Sequence, residues 1–142
     1  MSDSYNLQRF VTAQNAQWSS IIAELRAGRK RSHWMWFVFP QLKGLGFSES
    51  ANYFGIGSRA EAEAYLNHQV LGARLVDCTN LVNQGAESSA EQIFGPVDAM
   101  KFRSSMTLFA DISPEPSVFS TAIQQFFGSP DPKTLALLSH MG

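Results

Sequence analysis

The sequence holds one cysteine, Cys78, in 142 residues. An internal disulfide is therefore excluded, and no zinc site can be assembled from paired thiols. Long apolar runs are missing as well: the longest, Trp34 to Phe39, falls far short of the roughly 20 residues a membrane-crossing helix needs. The first residues, Met1 to Asn6, show no basic segment leading into an apolar stretch, so no secretory signal is expected, and the expectation is a cytoplasmic protein without membrane contact. Net charge is small, −1 from eleven Lys and Arg against twelve Asp and Glu, which argues against a surface built wholly for nucleic acid. His33, His68 and His140 lack metal-ligand spacing, and no Ser or Cys occupies a nucleophile elbow. From these absences no metal and no cofactor is expected, and the catalytic residues, if any, are unknown.

What is present is apolar bulk. The eleven Phe and three Trp among 44% hydrophobic residues are enough to fill one core in a chain of this length, so a single domain over 1–142, with its core at about 6–138, is expected. Apolar residues recur at helical spacing from the start: Leu7, Phe10 and Val11 after Asn6 as a cap, then Trp18, Ile21, Ile22 and Leu25 up to Gly28, read as two short helices. Ser58-x-x-Glu61 and Ser88-x-x-Glu91 fit the capping box. After the first, Leu71, Leu75, Cys78 and Val82 form a stripe that puts Cys78 on a buried face, as inert packing. The segment from Pro96 to Ile112 is apolar on two sides of its wheel, which predicts a central helix. An amphipathic helix from Val118 closes at Gly128, and Asp131-Pro132 starts a last one. Strand signals are nearly lacking, so the fold class expected is all-α, an orthogonal array of about six to eight helices.

Charge is unevenly spread. Arg26, Arg29, Lys30, Arg31 and Lys43 lie in eighteen residues without an acid, leaving the rest of the chain six cations against twelve acids. Within this stretch Lys30, Arg31, Ser32, His33, Trp34 and Trp36 combine cations, a helix-capping hydroxyl and indoles, the groups that hold phosphate oxygens and stack on a planar ring. The opposing reading is that Trp34 to Phe39 is a buried helix or strand stopped by Pro40, with solvated cations before it. Lys101 adds a second signal, because it projects onto an otherwise apolar side of the central helix. It either snorkels, pairs with Asp98 or Asp111, or faces a ligand. Arg103 completes a cationic pocket only if the fold turns its side round. Gly55-Ile56-Gly57-Ser58-Arg59-Ala60 matches G-x-G-x-x-A, but it follows Ser50 to Phe54, read as a short helix, and so lacks the strand that a dinucleotide fingerprint leaves.

Several of these segments, Leu7 to Phe10, Arg29 to Gly46, Tyr53 to Ile56, Val70 to Leu75, Ile93 to Gly95 and Lys101 to Phe109, resemble the domain of unknown function 1810 family, sometimes mislabelled calpastatin. The resemblance runs from about Asn6 to Leu138 and is most specific at Ser32 to Gln41. It implies a mainly helical fold and brings no activity with it. Asn6 stands where the family commonly has Asp, and Gln69 where it commonly has Pro. The calpastatin label conflicts with the composition, since such an inhibitor is disordered and this chain is rich in core residues. The function expected from the residues is binding, extending to hydrolysis, of a small phosphorylated or nucleotide-like metabolite such as an ADP-ribose-type ligand, through Lys30, Arg31, Ser32, His33, Trp34, Trp36, Lys101 and Arg103. The alternative is a non-catalytic protein-interaction module, which predicts an exposed Trp36 or Phe39. Single-stranded nucleic acid ranks third, against the overall acidity. The oligomeric state is not readable.

Overall fold

The computed structural model describes residues 3–85 and 87–141. Among them are nine helices and no strand, one helix more than the upper end of the sequence expectation. The first, α1 (Gln8–Ala27), is a single helix of twenty residues where the apolar spacing predicts two short ones. Nothing between Val11 and Trp18 breaks it: Thr12 to Gln17 contains neither Gly nor Pro, so propagation costs less than a second nucleation. Its end is the expected one, Gly28 at φ 74° with its N–H on the Glu24 and Leu25 carbonyls. Its start is not. Asn6 itself sits in the left-handed region at φ 53°, and the Asp3 carboxylate accepts from the Leu7 and Gln8 N–H groups. Those two bonds hold the Asp3 carboxyl below its ordinary pKa.

Three short helices follow, α2 (Met35–Val38), α3 (Glu49–Phe54) and α4 (Arg59–Asn67), and then a longer one, α5 (Leu71–Gln84). Ser58 caps α4 as expected, accepting from the Glu61 N–H, but the Glu61 carboxylate turns to Gly57 N–H and Arg9 instead of back to Ser58. At the α4–α5 corner the His68 Nδ1 accepts from Val70 and Leu71 N–H, a capping role. The second capping box is displaced by one residue: Ser89 and Gln92, not Ser88 and Glu91, close the start of α6 (Ala90–Phe94). The loops before α3 and α4 touch through one parallel bridge, Leu42 with Ile56, and Gly55-Ile56-Gly57 joins two helices instead of leaving a strand.

The helix α7 (Pro96–Asp111) is central, as its wheel predicts, packing on α6, α8 (Val118–Phe126), α9 (Pro132–His140), α2 and α4. Phe102, Met106, Leu108 and Phe109 are buried, and Phe102 meets Phe39 and Phe94 at ring-centroid distances of 5.0 and 4.8 Å. Only the first turns depart from the expectation. Val97 and Met100 are 67% and 69% exposed. Asp131 caps α9 by accepting from Thr134 N–H, with Pro132 in the first turn. Cys78 is buried, and burial pushes its thiol up to about 12, which fits inert packing.

Candidate functional site

The segment after α1 is organised by a carboxylate that lies before it in the chain. Glu24, in the last turn of α1, accepts from Arg31 N–H at 2.6 Å, Ser32 N–H at 2.8 Å, Ser32 Oγ at 2.6 Å and Trp34 Nε1 at 3.0 Å. Burial alone would raise this carboxyl, but the hydrogen bonds from Ser32, Arg31 and Trp34 outweigh it and bring its pKa to about 2. Ser32 is thereby spent on Glu24 and does not cap α2, which has no side-chain cap. Trp34 is fully buried, its ring tilted against Phe39. The backbone of Lys30 is pinned separately, donating to the Ile93 carbonyl at 2.7 Å.

This anchoring turns the Lys30 side chain toward the first turn of α7. Its Nζ lies 2.8 Å from Asp98 Oδ2 with only 7% of the side chain exposed, and 5.3 Å from the Trp34 ring centroid. Lys101 reaches the other oxygen of the same carboxylate, 3.3 Å from Asp98 Oδ1, and its Nζ stands 4.3 Å from the Trp36 ring centroid. Lys30 and Lys101 thus meet at one carboxylate, flanked by two indoles from α2 and its approach. Of the three roles open to Lys101, pairing with Asp98 is the one observed. Trp36 is half-buried, and its Nε1 is closed to solvent without a hydrogen-bond partner among the described residues.

The remaining candidates separate. The Arg31 side chain is exposed, and only its backbone joins the Glu24 cluster. His33 is exposed, and its side chain makes no hydrogen bond among the described residues. Arg103 points the other way, donating to the Ser129 and Pro130 carbonyls and to Ser129 Oγ beside the Phe127 ring. Its wheel position, near Thr107 and Ala110, lies on the side of α7 facing the α8–α9 loop, so the fold does not bring it to Lys101. The Lys30, Asp98, Lys101 and Trp36 groups form one charged cluster.

Two organising residues escape sequence inspection. Glu24 lies seven to ten positions before its partners, beyond any periodicity rule. Arg9 spreads its N–H groups over the Tyr53, Tyr5, Asn6 and Gly55 carbonyls and the Glu61 carboxylate, tying α1 to the loops around α3. With every guanidinium N–H engaged and 8% of the side chain exposed, Arg9 is a structural clamp. Asp98 is visible in the sequence only as one of two possible partners of Lys101. No group of three or more His, Cys, Asp or Glu side chains gathers into a metal-binding arrangement among the described residues. None of the described helices is long and apolar enough to cross a membrane.

Comparison with known proteins places residues 4–138 in a match to a family described as protein of unknown function, DUF1810. A crystal structure of a conserved hypothetical protein from Mycobacterium tuberculosis is similar at 52% identity and TM-score 0.94, over 96% of this chain and 99% of that one. No curated protein matches.

Proposed function

The chain belongs to the DUF1810 family, and from that premise we propose that it binds a small, phosphate-bearing, nucleotide-like ligand on the surface formed by Lys30, Lys101 and Trp36. The observation that supports this is an imbalance of hydrogen-bonding groups. Two ammonium groups, six N–H donors in number, meet one carboxylate, and the Trp36 ring lies beside them. A phosphate adds three acceptor oxygens and compensates the surplus positive charge. Arg31 and His33 stand exposed on the same segment, and the Arg31 charge extends the favourable field. Ser32 and Trp34 contribute by holding that segment on Glu24, and Arg103 takes no part. An ADP-ribose-type molecule meets these demands, with a phosphate at the lysines and a planar ring at Trp36. Hydrolysis of such a ligand is a further step for which no positioned nucleophile or general base among the described residues argues.

The rival reading, a protein-interaction module, is favoured by one feature, the pair Val97 and Met100 left open beside Lys101. Thermal unfolding with ADP-ribose, AMP and sugar phosphates at millimolar concentration decides between them. A ligand at about a hundred times its Kd adds about 2.7 kcal/mol, which raises Tm by several degrees in a domain of this size. That rise is expected for the parent protein and is lost in Lys101→Met. Absence of stabilisation by every compound ends the binding proposal and leaves the docking one.

A further inference from the structure

A hollow of about 700 Å³ lies on a different part of the molecule, between α5, α8 and the 113–117 loop. Its volume falls inside the roughly 300–1,000 Å³ typical of small-molecule sites. Val76, Pro116, Val118 and Phe119 give it apolar walls, and Asn80 and Asn83 bring two amides from α5. No charged side chain lines it, in contrast to the Lys30 and Lys101 surface. An anion entering here would lose its water and gain no compensating charge.

Asn83 carries the second observation. Its Nδ2 donates to the Val118 carbonyl at 3.1 Å, which fixes the amide's orientation. Its Oδ1 is then a buried acceptor with no donor among the described residues. Buried acceptors are nearly always satisfied in folded proteins, and this one lacks a donor on a residue that lines the hollow. Rotating the amide would not cure the deficit, because it would set the Asn83 oxygen against the Val118 carbonyl oxygen, two acceptors face to face.

We propose that this hollow is a binding site for an uncharged, largely apolar small molecule that carries an N–H donor, a planar carboxamide or urea being the simplest class. The apolar part lies on Val76, Val118 and Phe119, and the N–H is directed to Asn83 Oδ1. This site is independent of the anion-binding reading and uses none of the same residues.

Benzamide, methyl benzoate and benzoate share one ring and differ in the group that matters: an N–H donor, none, and a charge. Each is titrated into isotope-labelled protein at millimolar levels while the backbone signals of Val76, Val118 and Phe119 and the side-chain amide of Asn83 are followed. Benzamide is expected to shift these signals saturably and to bind about tenfold more tightly than methyl benzoate, the difference one hydrogen bond supplies. Benzoate is expected not to bind. Thr121→Trp, at an exposed position of the lining, puts an indole into the hollow and removes the shifts. Asn83→Leu makes the amide and the ester equal. Equal affinity of the amide and the ester in the parent protein, no saturable shift with benzamide, or shifts that persist in Thr121→Trp, each overturns the proposal.

Discussion

Glu24 illustrates how much one side chain organises here. Its carboxylate takes four hydrogen bonds from three residues in the segment that follows α1, and its pKa of about 2 measures how strongly the folded state favours the charged form. Since the ordinary value is 4.5, this stabilisation is complete above about pH 4.5 and disappears as pH falls toward 2, where the folded form too takes up a proton. Glu24→Gln is expected to lower stability by about 2–3 kcal/mol at pH 7, the range for hydrogen bonds to a charged group. Urea unfolding at a series of pH values should show the gap to the parent protein narrowing between about pH 5 and pH 2. A gap that stays constant across that range would contradict the role assigned to the charge. The same residue explains why this part of the site is hard to read in sequence: a carboxylate seven or more positions upstream has no spacing rule linking it to Trp34.

At the scale of elements, most helices announce themselves and their exact ends do not. The stripe Leu71, Leu75, Cys78, Val82 becomes the buried face of α5, and the two-sided apolar pattern after Pro96 becomes the central α7. The ends shift because neighbouring polar residues compete for the same N–H groups, as Ser89 with Gln92 does in place of Ser88 with Glu91. The α4–α5 corner depends on a feature that composition hides. A Cβ added at Gly72 would stand 1.9 Å from the Leu66 carbonyl oxygen, a backbone atom that cannot swing aside. Gly72→Ala must therefore push the start of α5 away from the end of α4, with an expected loss of about 1–3 kcal/mol or more. The effect is read from the urea midpoint, and Ala73→Gly, next to it on an exposed position, serves as control and costs about 1 kcal/mol through backbone entropy alone. A Gly72→Ala loss no larger than the control's would mean the corner yields freely.

For the whole molecule, the juxtaposition of two distant segments at Asp98 is the feature on which the binding proposal rests. Asp98→Asn leaves the ammonium of Lys30, with 7% of its side chain exposed, without its counter-charge. Between the limits for exposed and buried pairs, the expected cost is about 1–3 kcal/mol. Millimolar phosphate should recover Tm more in Asp98→Asn than in the parent protein, and more than sodium chloride at equal ionic strength, because the bound anion supplies the counter-charge that the substitution removes. Equal recovery by both salts would reduce the effect to screening. The amino-acid order by itself determined a helical chain with one aromatic-rich core, the burial of Cys78 and the capping of α9 by Asp131, since these follow from periodicity and from contacts within a few residues. Only the tertiary structure decided that Lys30 and Lys101 converge, that Arg103 turns away and that Val97 and Met100 remain open. Those outcomes depend on how helices pack across seventy positions of chain, and helical spacing carries no information about which face a distant partner will cover.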